Sequence, residues 1–228
     1  MKEGLLAALI QGLGLAVMSY GYQALQSLPI DNFVRDQHGG HFQYLTIQGL
    51  ALAWMTMLAG LINTICPATR SLHFIKRCLA LIALPLSIVI SILYWSLLLF
   101  MPGLILQSFH EEPPASPTMS DPFRVPFYLD LALHACPASF LLLDFFLFEK
   151  KYNKRDVSIA SPAATIFFSL WYGIWVEYCG NRNEGDPTPI LVPYPFLTDN
   201  AFGIRVAIYT AASVLALLSF RLINFFHG

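Results

Sequence analysis

The sequence predicts an all-α polytopic membrane protein: a six-transmembrane-helix bundle with both termini in the cytoplasm. Three observations carry that reading. Of the 228 residues 56% are hydrophobic and 12% charged, half of the roughly 25% charged residues in a soluble domain. Six apolar runs each approach the ~20 residues a helix needs to cross a hydrocarbon core. Lys and Arg are shared unevenly between the connecting loops, which sets orientation. Net charge is −1 with no basic or acidic block, so nothing marks a nucleic-acid partner. No linker divides the chain, and residues 1–228 read as one integral membrane domain.

The first run, 4–25 (GLLAALIQGLGLAVMSYGYQAL), follows Lys2. It is longer than a signal-peptide core and no A-x-A-like site follows it, so it reads as a retained helix. The second, 44–66, grows out of a polar loop ending in GGHFQYLT (39–46), which leaves Thr46 at the threshold of a span. The third is 79–101. The fourth, 127–148 (FYLDLALHACPASFLLLDFFLF), carries Asp130, His134 and Asp144. The fifth is 162–179. The sixth, 201–226, alone contains Arg; Arg205 and Arg221 lie near its ends, where they can snorkel outward. Backbone in lipid must satisfy its own hydrogen bonds, and runs this long favour helices over barrel strands.

Loop 102–126, with HEEPPASPTMSDP, is too rich in Pro for helix or sheet. Loop 180–200 contains LVPYPF, apolar enough to fold back over the bundle mouth as a partial lid. Loops 67–78 and 149–161, with Lys2 and Arg221, hold nine of the thirteen basic residues; Arg35, Arg124, Arg182 and Arg205 make up the rest. That imbalance orients both termini inward and puts Thr46 at the extracytoplasmic end.

Ionisable groups inside a bilayer are costly and mark candidate sites. Asp130 and His134 are four residues apart and share a helical face. His134 lies roughly 10 Å below the outer boundary at 1.5 Å per residue. Thr46 is about one turn shallower, so the two can meet if their helices are neighbours. A hydroxyl becomes a nucleophile when an adjacent imidazole takes its proton and a third group orients the imidazole. Pro137 frees the carbonyl of Leu133 from its helical bond. The plainer alternatives are a structural histidine and a helix-capping threonine.

Asp130 is a candidate supporting residue, its carboxylate holding the imidazole tautomer if the two side chains meet; its place near the start of the helix favours headgroups or water instead. Asp144, near the cytoplasmic end, meets water or Lys150 or sits polar inside the bundle. Glu177 is a candidate to orient His134, amid interfacial Trp171, Tyr172 and Trp175. Gln43, Gln48 or the backbone amides near residues 45–46 are candidate oxyanion donors. Cys66, Cys78, Cys136 and Cys179 show neither CxxC nor Cys/His metal spacing, so neither metal nor cofactor is expected. GxSxG, HExxH and P-loop patterns do not occur.

Three segments carry a likeness to a known family. GGHFQYLT resembles a GG-x4-LT stretch, HACPASFLLLD a His-x5-Phe-x3-acidic pattern, and YGIWVEYC with YPFL at 194–197 a fifth helix and its aromatic loop. Together, in that order and spacing, they resemble the androgen-induced protein / androgen-dependent TFPI-regulating protein family. Those are multipass membrane threonine hydrolases of fatty acid esters of hydroxy fatty acids. The resemblance implies Thr46 as nucleophile and His134 as catalytic histidine, with Phe140 and Asp144 in step. It departs at Glu177 and Tyr178, where the family's histidines are expected, and in a longer loop over 180–193. The function expected is hydrolysis of a lipid ester drawn from the bilayer, in an endoplasmic-reticulum or plasma membrane, with the site toward the extracytoplasmic side. The alternatives are a non-catalytic receptor or tether, and a small-solute transporter using Asp130, His134 and Asp144, which the missing internal repeat disfavours.

Overall fold

Each apolar run forms one helix, because a segment this apolar buries its backbone polar groups only by pairing them internally. The computed structural model describes residues 2–67, 70–105, 124–183 and 194–227. The spans are α1 (Lys2–Leu25), α3 (Leu45–Ile65), α4 (Arg70–Phe100), α5 (Phe127–Phe148), α6 (Asp156–Asn183) and α8 (Phe202–Phe226). Two short helices lie between them, α2 (Ile30–Asp36) and α7 (Pro195–Thr198). All six spans are long and apolar enough to cross a membrane. The segment HEEPPASPTMSDP and residues 184–193 lie outside the described residues.

The helix edges differ from the hydropathy edges in one telling place. α4 starts at Arg70 and runs for 31 residues, about 46 Å at 1.5 Å per residue. It therefore absorbs most of the basic segment read as a loop over 67–78. Lys76, counted there as a loop charge, is 4% exposed inside the bundle.

The main core joins Met18 of α1, Leu50 and Met57 of α3, Leu84 of α4, and Leu133 and Phe145 of α5. A smaller core joins Tyr172 and Val176 of α6 to Leu197 of α7, with Leu45, Phe168 and Tyr209 packed against it. The helices of the two cores differ in exposure: 56% of the most apolar window of α3 is buried, against 17% for α6 and 11% for α8. α6 and α8 therefore offer most of their surface to lipid, with Phe167, Ile174 and Phe225 among the exposed side chains.

α5 is not a uniform α-helix. Residues Leu131–Ala135 form a π-turn, with the Cys136 N–H donating to the Leu131 carbonyl. Pro137 explains it: proline has no N–H for the Leu133 carbonyl and its ring crowds that turn, so the backbone widens by one residue. His134 sits in that widened turn.

Candidate active site

Thr46 is placed by the turn before α3. Gly39 and Gly40 adopt φ of 89° and 48°, the left-handed region that glycine enters without steric penalty. A Cβ on Gly39 would also collide with Cys179 Sγ at 2.6 Å. The turn is then clamped from three sides. His41 Nε2 meets Asp31 Oδ1 at 2.6 Å, Asn183 Oδ1 accepts the His38 N–H at 2.8 Å, and the Phe42 carbonyl accepts from Gln48 Nε2 at 2.8 Å and Trp175 Nε1 at 3.1 Å. Tyr44 is the N-cap of α3 and makes no side-chain cap. Thr46, two residues further on, is past the position from which a threonine caps, so the capping explanation of its hydroxyl does not hold.

The first N–H groups of a helix have no partner within it. At α3 they find one in trans. The Tyr194 phenol, carried by the chain returning before α7, lies against the Thr46 side chain and the backbone of Thr46 and Leu45 closely enough to be shifted by all three, and the Leu45 backbone acts on the Tyr172 phenol as well. Burial pushes the Tyr194 phenol up, and these three contacts pull it back down. An edge contact with Tyr44, ring centres 5.7 Å apart, and stacking on Phe196 at 5.4 Å fix the ring. The described part of LVPYPF thus folds onto the bundle, with Leu197 2% exposed. Backbone N–H groups beside a hydroxyl suit a developing oxyanion; here the Leu45 backbone is shared between the phenols of Tyr194 and Tyr172.

Gln43 and Gln48 do not supply it. The Gln43 amide nitrogen donates to Gln37 Oε1 at 2.7 Å, and that of Gln48 is spent on Phe42. Of the candidate donors, the backbone amides of residues 45 and 46 are the ones directed at an oxygen beside Thr46.

His134 is 9% exposed. Its ring lies flat on Tyr94 of α4, centres 3.4 Å apart and planes within 1°. Its Nδ1 faces the Asp130 carbonyl oxygen at 3.2 Å and Asp130 Oδ1 at 3.6 Å. A proton on Nδ1 satisfies both acceptors and leaves Nε2 as the basic nitrogen. Asp130 is a correction to the sequence reading. It is fully buried rather than facing headgroups, because Tyr94 Oη donates to its Oδ1 at 2.5 Å. Its Oδ2 has no hydrogen-bond partner among the described residues.

α3 packs against the π-turn that carries His134, so their helices are neighbours as the depth argument requires. Thr46 and His134 share no direct hydrogen bond among the described residues. Thr46 is engaged by Tyr194, and Tyr194 in turn lies close enough to Tyr94 to act on it electrostatically. Tyr94 and Tyr194 are the site residues that sequence reasoning missed. Their signals were faint: a phenol in the apolar SILYWS run, and the YPFL tetrapeptide.

Glu177 does not orient His134. Both of its carboxylate oxygens are held by Arg205 of α8, at 2.7 and 2.5 Å, and Oε1 also accepts from Tyr209 Oη at 2.9 Å. Of the settings expected for Asp144, the structure shows the one inside the bundle, with Lys76 in place of Lys150. Asp144 is buried at the far end of the bundle, bound by Lys76 Nζ at 2.7 Å and Gln11 Nε2 at 2.7 Å. Lys76 also reaches Glu149 at 2.7 Å, which takes Arg77 at 3.2 Å. Asp130 and Asp144 thus belong to separate, differently partnered groups.

Comparison with known proteins agrees with this architecture. The family model described as FAR-17a/AIG1-like protein matches residues 6–228, and the chain belongs to that family, which includes the androgen-induced proteins of the resemblance. It is 27% identical over 199 residues to a UPF0641 membrane protein of Schizosaccharomyces pombe, covering 86% of this chain and 79% of the yeast protein. No solved structure matches. With six apolar spans, the chain is an integral multi-pass membrane protein.

Proposed function

We propose that this FAR-17a/AIG1-like protein is a lipid ester hydrolase that uses Thr46 as nucleophile and His134 as general base, with fatty acid esters of hydroxy fatty acids as the substrate class the resemblance implies. The observation that carries the reading is the cluster beside Thr46, where the Tyr194 phenol lies against the Thr46 hydroxyl and the backbone of Leu45 and Thr46. An ester carbonyl oxygen entering that position displaces the phenol and sets its carbon against Thr46 Oγ1. His134 Nε2 takes the hydroxyl proton, directly or across one water. The tetrahedral oxyanion rests on the two amides. Collapse breaks the ester bond, and the protonated imidazole returns the proton to the departing alkoxide. Water then attacks the acyl-threonine with His134 again as base, releasing the fatty acid and restoring the hydroxyl.

Asp130 is a positioning residue here: with its own carbonyl it holds Nδ1 protonated, and Tyr94 fixes the plane of the ring. The site requires no metal or organic cofactor for these steps. The nine-to-four distribution of basic residues supports an extracytoplasmic site with both termini inside. Glycosylation tags in loops 102–126 and 149–161 test that orientation; modification of the second instead of the first overturns it.

Turnover of a long-chain ester by purified protein tests the chemistry. Thr46→Ala is expected to abolish it, Thr46→Ser to retain part of it, and both proteins to remain folded. Full activity in folded Thr46→Ala removes Thr46 as the nucleophile, and no turnover by the folded wild type returns the protein to the receptor or tether reading.

A further inference from the structure

We infer that long acyl chains of bilayer lipids reach this site sideways, between α6 and α8, through a portal walled by Tyr209 and the Ser169–Ser213 pair. The inference rests on the hydrolase reading for the use of the portal, not for its existence. Two spaces meet at that wall. One is a half-open crevice of about 90 Å³ between α4, α6 and α8 that begins at Leu45 and Tyr194, beside Thr46, and continues along Leu86, Val89, Phe168 and Ile208. The other is a groove of about 640 Å³ on the outer face of α6 and α8, lined by Ile166, Leu170, Ile174 and Val206. Ser169, Tyr209 and Ser213 line both, so the partition between them is one side chain thick.

The groove has the polarity of a lipid. Its walls are apolar along the span, and Glu177 and Asn181 line it at the Thr46 end of α6. A chain lying in it keeps its polar group near the depth of Thr46. The crevice alone holds only a short stretch of chain; joined to the groove, it accepts a long one.

The wall is built to part. Ser213 Oγ donates to the Tyr209 carbonyl at 2.7 Å and accepts from Ser169 Oγ at 2.7 Å, so it keeps a partner within its own helix when α6 moves away. Tyr209 is latched by its hydroxyl to Glu177 at 2.9 Å, and Arg205 holds Glu177 in place. Gly173 has no side chain to block the Tyr209 ring, which a Cβ there would touch at 3.6 Å. The helices on either side are the two least buried spans, so separating them disturbs little of the main core.

A disulfide across the wall tests the portal. The hydroxyls of residues 169 and 213 are close enough that the Ser169→Cys/Ser213→Cys variant can form one. The protein is placed in phosphatidylcholine vesicles containing a long-chain fatty acid with a mid-chain diazirine and irradiated, and adducts are mapped by mass spectrometry. Wild type carried through the same oxidation is the control. Adducts on Phe168, Ile208 or Leu86 are expected in wild type and in the reduced variant, to fall to background after oxidation, and to return with reductant. Undiminished adducts there in protein whose disulfide is complete overturn the portal. Gly173→Trp, which fills the groove without a cross-link, is expected to give the same loss, and adducts that persist in it count equally against the portal. A short water-soluble fluorophosphonate is expected to label Thr46 in both redox states. If it labels Thr46 in neither, the hydrolase reading fails while the diazirine pattern still decides the portal.

Discussion

The two ends of the bundle treat buried polar groups in opposite ways. At the end holding Asp144, the buried charges of the described residues answer one another: Lys76 meets two carboxylates, Asp144 is bound by Lys76 and Gln11, and Glu149 takes Lys76 and Arg77. Thr64 Oγ1 adds a bond to Gln11 at 3.0 Å, so α1, α3, α4 and α5 are tied in one knot. At the end holding Thr46, polar atoms remain unanswered. Among the described residues Asp130 Oδ2, Gln37 Nε2 and Gln43 Oε1 are buried without hydrogen-bond partners, Asp130 feels the charge of Arg124 without an ion pair to it, and Thr46 is engaged by a phenol from a returning loop. Unsatisfied buried polar groups are expensive and rare in folded proteins. A saturated network serves rigidity; one with spare capacity is suited to receiving a ligand or a proton.

That contrast separates the effects of mutation. The largest expected effect is on rate. His134→Ala should lower turnover by about 10²–10⁴-fold, the range for losing a general base, with unfolding in detergent unchanged. Lys76→Met should do the reverse. It leaves Asp144 and Glu149 buried without their shared cation, costing about 3–5 kcal/mol, so thermal unfolding moves sharply down while activity per folded molecule at low temperature is kept. A Lys76→Met protein of normal stability and lost turnover would erase the distinction between the ends.

Smaller effects sharpen it. Asp130→Asn should lower kcat by about tenfold, ~1.4 kcal/mol, with KM little changed, because the carboxylate acts on His134 rather than on substrate. A KM effect in its place would assign Asp130 to binding. Tyr194→Phe should be mildest. Removing the phenol oxygen that occupies the amide pair should speed fluorophosphonate labelling of Thr46 by about two- to tenfold, the worth of one hydrogen bond of 0.5–1.5 kcal/mol. Slower labelling would make Tyr194 a required donor instead of a displaced occupant.

The spans were legible because length and hydropathy alone decide whether a helix can cross a membrane. The start of α4 was not, since hydropathy ends at the basic residues whereas the helix runs on through them, and only the fold reveals that Lys76 turns inward to two carboxylates. Thr46 and His134 could be picked out as polar groups in apolar runs and by the resemblance, and the π-turn follows from Pro137. Asp130 was misread because depth along a helix says nothing about which way a side chain faces, and Tyr94, which buries it, comes from another span. Glu177 was misassigned for the same reason: Arg205, its partner, was read as a snorkelling residue. The pairing of Tyr194 with the first amides of α3 is a tertiary contact between distant segments, which no local pattern encodes.

The central claim is that the unsaturated end is the catalytic one, and mapping a covalent adduct tests it most directly. A long-chain fluorophosphonate incubated with folded, membrane-inserted protein should add one phosphonyl group on Thr46, with loss of fluoride, and the adduct should vanish in Thr46→Ala and weaken in His134→Ala. An adduct on any other residue, or labelling undiminished in folded Thr46→Ala, would contradict it.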